Sequence, residues 1–323
     1  MAPGLSGSEA SRGAAAGTRD APAARALDAP PTLGGQDAQG ALHGRLCRLN
    51  QLRLRPALDA GFSIAALARE VEDRRLEETF VDAERAAVRA TEDLDAVPDD
   101  PGGFVAWFEH LAETGPGQGD ALFPFLAERA SLEDVRWFLA QEVAGEAGFD
   151  ELLALTQLGM PSQAKLEMGR NYWDELGRGR PSAVHGAMLE ALADAVGARS
   201  PIEEIVWPSL ALANLMVALA WNRHYAYQSV GALGVIELTA PGRARLVDSG
   251  LRRVGVPAAA RRYFALHAQI DLRHSSDWNR QVLHSLVRAE PRCARAIAEG
   301  ALLRLQAGAR CFAAYRQQLG VTA

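Results

Sequence analysis

His267, Asp271 and His274 follow one another at steps of four and three in the stretch HAQIDLRH. On an α-helix, at roughly 100° per residue, those steps hold the three side chains within about 60° of one another on one stripe. Two imidazoles and a carboxylate on a common face form a donor set for a divalent transition metal. The same stripe would also suit a solvated helix face, and these residues alone leave both readings open. The chain has seven histidines, and two of them fall in this one stretch.

A metal held inside a helical bundle draws its ligands from several helices, because a buried divalent pair needs several anions around it. Glu175 closes the segment LEMGRNYWDE, and the GRGRPS break that follows leads into His185. Glu237 lies in GALGVIEL between Val235, Ile236 and Leu238, where a carboxylate needs a partner. Glu142 and Glu146 recur at helical spacing in FLAQEVAGEAGFDELL, on the side that carries Phe138, Leu139 and Phe149, so either could enter the same pocket. Asp174, Asp150 and Glu151 read as solvated or capping acids. His43, His110, His224 and His284 read as structural histidines. Tyr172, Trp173 and Trp278 are expected to pack the core, and Arg170, Arg223 and Arg273 to lie on the surface, although each could reach a substrate carboxylate.

NYWDE, a histidine after the GRG turn, GALGVIEL and YFALHAQIDLRHSSDW together resemble the heme-oxygenase-like diiron oxidases, often labelled iron-containing redox enzymes, over residues 131–285 at least. The resemblance implies an all-α, heme-oxygenase-like multi-helical bundle in which three carboxylates and three histidines hold two irons. Carried over by position, that set is Glu175, His185, Glu237, His267, Asp271 and His274, and some relatives add a carboxylate for which Glu146 or Glu142 would stand. It also implies two Fe(II) ions as cofactor, with manganese an alternative, and O2 as co-substrate. Mixed nitrogen and oxygen ligation agrees with those metals better than with thiolate-seeking ones. The implied activity is that of an iron-dependent oxidoreductase acting on a small molecule such as an amino-acid derivative, by N-oxygenation, desaturation or oxidative C–C cleavage. Two other readings keep the helices and drop the metal pair: a heme-oxygenase-like or thiaminase-like enzyme, or a non-catalytic scaffold or regulatory domain. The thiaminase-like version needs a cysteine in the pocket, and the core segments before Cys293 have none.

The elements that must position these residues are helices. Apolar residues recur at three and four from Leu42 onward, with Pro and Gly clusters as punctuation. The pattern predicts helices near 41–60, 64–92, 102–114, 131–158, 162–177, 182–197, 202–228, 230–250, 257–286 and 289–319. Residues 1–38 are mostly Ala, Gly, Ser, Pro and Asp, and are expected to form a disordered tail. Residues 39–130 are expected to form flanking helices and 131–323 the bundle with the metal site. The apolar run LALANLMVALAW is too short for a membrane span and suits a buried core helix.

Acidic residues outnumber basic ones by 40 to 34, and no basic run stands out, which argues against nucleic-acid and membrane partners. The three cysteines are far apart, so no thiolate metal site or disulfide framework is expected, and a cytoplasmic setting is the default. The C-terminal segment RLQAGARCFAAYRQQL is amphipathic and could serve a homodimer.

Overall fold

Side-chain caps start several of the helices: Ser63 accepts from the Ala66 amide, Asp100 from Gly103, and Ser131 and Asp134 form a reciprocal capping box. The structure, a computed structural model, describes residues 36–56, 63–146 and 148–322. Its helices are α1 (Gln36–Leu54), α2 (Ile64–Thr91), α3 (Pro101–Thr114), α4 (Leu122–Glu128), α5 (Leu132–Gly145), α6 (Phe149–Thr156), α7 (Ser162–Glu175), α8 (His185–Val196), α9 (Trp207–Trp221), α10 (Ala226–Arg253), α11 (Arg262–Asp277), α12 (His284–Ala289) and α13 (Cys293–Leu319). Among the described residues there is no strand, and no helix is long and apolar enough to cross a membrane.

Several boundaries differ from those predicted. The tail expected over 1–38 lies outside the described residues except for 36–38, which open α1. The single helix expected over 131–158 is two, because Gly148 adopts a left-handed φ of 70° and separates α5 from α6. The helix expected over 202–228 is α9 preceded by a short 3-10 turn, and the chain breaks at Asn222, whose side chain accepts from the His224 amide and caps the next turn. From there α10 runs without interruption through Pro241, which has no N–H to give the Glu237 carbonyl. Residues Trp278–Leu283 join α11 to α12 as a π-helical segment, and α4 was not foreseen.

Helix α10 is the axis of the packing, in contact with α3, α4, α9, α11 and α13. On its side, α9 is buried all round from Pro208 to Ala220, as its uniform hydrophobicity suggested. Its one amide, Asn214, accepts from Asn50 at 2.9 Å and donates to the His43 carbonyl at 3.0 Å, so α1 is stitched to it. Buried Glu299 of α13 takes Arg85 and Arg89 of α2 and Gln228 of α10, joining three helices through one carboxylate. Trp278 is buried as expected, whereas Trp173 is 52% exposed and does not pack the core, because it points away from the bundle at the end of α7.

The approach of α10 to α13 is set by glycine. A Cβ on Gly231 would overlap the Ile297 carbonyl, and one on Gly300 would overlap the Gln228 carbonyl, so each helix backbone rests on a glycine of the other. Gly300→Val should therefore destabilise the protein by about 3 kcal/mol, the upper part of the range for overpacking. Gly169→Ala on α7, where a Cβ meets nothing within 4 Å, should instead stabilise by about 0.5–1 kcal/mol. Denaturant melts of the two variants check the pair; equal effects would show that the α10–α13 contact is not tight.

Candidate metal centre

The final turn of α7 brings Asn171, Asp174 and Glu175 to the interior, and a tight reversal then returns the chain to the same place. Gly177, Arg178 and Gly179 all take left-handed φ values, of 61°, 54° and 78°. Gly177 lies directly against Ala183, with no room for a Cβ, and the non-glycine strain at Arg178 is held by its Nε donating to Asp174 at 2.6 Å. The reversal delivers His185 at the first position of α8, where its Nδ1 lies 2.7 Å from Glu175 Oε2.

The stripe on α11 faces this corner. His267 Nε2 lies 3.1 Å from His185 Nδ1, with the two rings edge to face at 4.6 Å. The other nitrogen of His267, Nδ1, donates to the Tyr263 carbonyl at 2.7 Å, which fixes the tautomer and leaves Nε2 with its lone pair. His274 is turned the other way. Its Nε2 is 3.1 Å from Asp174 Oδ2, and its Nδ1 faces Glu237 Oε2 at 3.5 Å and Asp271 Oδ1 at 3.9 Å. Asn171 Nδ2 donates to Glu237 Oε1 at 2.7 Å, orienting the second oxygen toward the cluster.

Two groups of donors result, and both contain Glu175. Glu175, His185 and His267 have ligand atoms within 4.8 Å of one another, and so do Glu175, Glu237 and His274. Asp271 is in neither group, yet it is buried beside both, and its Oδ1 and the Nδ1 of His274 make no hydrogen bond. Orphaned buried acceptors are rare in folded proteins. Here they point toward other oxygens and lone-pair nitrogens, the arrangement a cation would complete. All six residues predicted from the sequence are thus brought to one place.

Electrostatics point the same way. Burial, then the Glu237 and Glu175 carboxylates, push Asp271 up to about 10. Burial and Glu237 also raise Glu175 well above the ordinary carboxylate range. Glu146 is pushed up to about 8 by burial, Glu175 and Glu142, against the neighbouring Tyr263 hydroxyl. Burial lowers His185 and His267 to about 4, so both imidazoles are neutral and able to ligate. For His274 burial acts downward, but the surrounding acids Glu237, Asp174 and Glu175 outweigh it and hold the ring at about 9. So many acids cannot ionise together in a dry interior without a compensating cation.

A cavity with about 120 Å³ of free space adjoins the cluster. Glu175, Glu237, His267 and Asp271 form part of its wall, with Glu142, Glu146 and Tyr263 beside them and Phe149, Leu189, Leu212, Ile236 and Phe264 supplying apolar surface. Both acids offered as an additional ligand reach the cavity. Glu146 interacts with Glu175 and Asp271 as well as with Arg304, whereas Glu142 is influenced by Arg243 and Arg304. Cys311, beyond the core segments that have no cysteine, also lines the cavity; burial pushes its thiol up to about 12, so it stays protonated.

Residues 136–309 match the profile of the iron-containing redox enzymes, more than half of the chain. The chain belongs to the iron-containing redox enzyme family. Membership implies an iron-dependent oxidoreductase with a heme-oxygenase-like all-α fold, and the matched segment contains every residue of the cluster. No curated protein matches the sequence. The family's iron agrees with the donor set, which is carboxylate and imidazole without thiolate.

Sequence reasoning missed the residues that hold the ligands. Asp174, read as solvated or capping, is buried and receives His274, Arg178 and Arg273. Arg273 is thereby committed to Asp174, Arg170 to Glu167, and Arg223 to the carbonyls of Leu155, Thr156 and Leu158. Asn171 had a usable signal, since it precedes Glu175 by four and must share its face. Asp150 and Glu151, by contrast, sit in the first turn of α6, as capping acids would.

Asp174→Asn keeps an acceptor for His274 but loses the charge that orients it, and should weaken iron binding by about 10–100-fold, the usual cost of losing such a support; metal titration of the purified variant measures this, and unchanged affinity would refute the role. A second outcome concerns pH. Asp271, Glu146 and His274 bind protons more tightly in the folded than in the unfolded chain, so their contribution is lost as pH rises, while His185 and His267 act oppositely only below about 6.5. The metal-free protein should lose stability between pH 6.5 and 9, and Asp271→Asn should flatten that decline. Thermal melts across the window check it; a wild-type melting temperature that climbs with pH contradicts the assignment.

Proposed function

We propose that the chain is a non-heme diiron oxygenase or oxidase that uses O2 to oxidise a small organic molecule, such as an amino-acid derivative, by N-oxygenation, desaturation or C–C cleavage. The observation that carries this reading is the sharing of Glu175 by two ligand groups. A carboxylate common to two donor sets suits a pair of ions, and three carboxylates with three imidazoles offset most of the charge of two Fe(II). Glu175, His185 and His267 would hold one ion, Glu175, Glu237 and His274 the other, with Asp271 beside both. Two ferrous ions bound there would supply electrons for the reduction of O2.

The rest of the work falls to the protein. Asp174 keeps a proton on Nε2 of His274, which leaves Nδ1 as the ligating nitrogen, and the Tyr263 carbonyl does the converse for His267. Asn171 holds Glu237 by one oxygen so that the other faces inward. The apolar wall from Phe149, Leu189, Leu212, Ile236 and Phe264 limits water and leaves a compartment beside the ligands in which a small molecule can lie. A thiaminase-like reaction would need a cysteine thiolate, and Cys311 is held as a neutral thiol.

Anaerobic loading with Fe(II), quantification of bound metal and then exposure to O2 under optical and Mössbauer observation test the proposal. The expected result is two irons per chain with an O2-dependent spectral change, both abolished by Asp271→Ala. A single iron, or two that are inert to O2, would overturn it.

A further inference from the structure

The cavity has a second chemical pole that the metal cluster does not use. Arg243 of α10 and Arg304 of α13 both line it, with Glu142 of α5 and the rings of Phe123 and Phe312. Arg243 follows Glu237 by six residues on one helix, which places it about 9 Å further along the axis. Ala240, between them, keeps the wall low.

Neither guanidinium is spent on an ion pair among the described residues. Arg243 donates to Thr239 Oγ1 at 2.8 Å and lies over the rings of Phe312 and Phe123 at 5.5 and 5.8 Å, which hold it in place without neutralising it. Arg304 has a buried Nε with no hydrogen-bond partner. The partly buried Arg53, Arg261, Arg310 and Arg316, by contrast, each meet a carboxylate. Arg243, lowered to about 10 chiefly by burial and then by Arg304, is still a cation at neutral pH. Glu142 and Glu146 line the same cavity, but among the described residues neither forms an ion pair with either guanidinium.

Two buried guanidiniums on one cavity wall, neither in an ion pair and one with an orphaned Nε, lack a direct anionic partner. We infer that Arg243 and Arg304 recognise the carboxylate of the substrate, so that the substrate is a monocarboxylic acid whose other end is presented to the Glu175, Glu237, His267 and Asp271 wall. The assignment of that other end as the oxidised one rests on the function proposed above; the anion site itself does not. The planar forks of two arginines suit a carboxylate held by paired hydrogen bonds, and the acids Glu142 and Glu146 in the same cavity disfavour a dianion such as a phosphate monoester.

The test uses the full chain without metal, so that it is independent of iron. Butanoate, hexanoate, octanoate and phenylacetate are titrated by calorimetry, with hexanol, hexylamine and hexyl phosphate as controls. At least one carboxylate should bind saturably and more tightly than all three controls. Arg243→Met and Arg304→Met should each weaken that binding roughly tenfold or more, while iron uptake by the same variants stays at the wild-type level. Arg304→Lys, which keeps the charge and loses the fork, should fall between, and it serves if the Met variants do not fold. Binding of hexanol as tight as that of hexanoate, tighter binding of hexyl phosphate, or carboxylate binding that survives the arginine variants would overturn the inference. Carboxylate binding in a chain that takes up no iron pair would leave the anion site standing and remove the diiron reading.

Discussion

Carboxylates forced together away from water dominate this protein. Glu146, Glu175, Glu237 and Asp271 come from the residue after α5, the end of α7, α10 and α11, and the first three all raise the affinity of Asp271 for protons. Left to itself that arrangement would relax by separation or by protonation. The bundle prevents separation: α10 and α13 meet backbone to backbone through Gly231 and Gly300, and the reversal through Gly177 allows no slack between Glu175 and His185. The rigidity of the scaffold and the crowding of charge are two sides of one design, since only a frame that cannot yield can keep so many acids facing a common point.

Orientation is divided between two shells with separate tasks. The inner residues present lone pairs, and their partners decide which atom presents them. The two histidines of the α11 stripe show this most clearly, because one is fixed through Nδ1 by a backbone carbonyl and the other through Nε2 by a carboxylate. They lie on the same stripe of the same helix and yet offer different nitrogens. A stripe of like residues is thereby converted into donors aimed in different directions.

Much of the inner set was legible in the sequence because helical periodicity alone fixes which residues share a face. His267, Asp271 and His274 follow from steps of four and three, and the GRGRPS break marks where the chain must turn between Glu175 and His185. The partners were not legible. Asp174 adjoins Glu175 in sequence and would be solvated on an isolated helix; it is buried only because α11 crosses it with His274 and Arg273. Arg243 and Arg304 look like any of the many arginines until α10 and α13 are packed, and nothing in their neighbourhood separates them from Arg252 or Arg295. Boundaries failed for a similar reason. The apolar periodicity continues across Gly148, and only its left-handed backbone parts α5 from α6.

The last turn of α7 carries a load out of proportion to its length. Asn171 reaches α10, Asp174 reaches α11 and Glu175 reaches α8, so three neighbouring helices take their alignment at the centre from a single helix end. The two donor groups also have Glu175 in common. They are therefore not separable modules. Fraying of that one turn would strip an oxygen from each group at the same moment and free both Glu237 and His274 to rotate, so the centre assembles and comes apart as a unit, and a half-built state has no structure of its own to stabilise it.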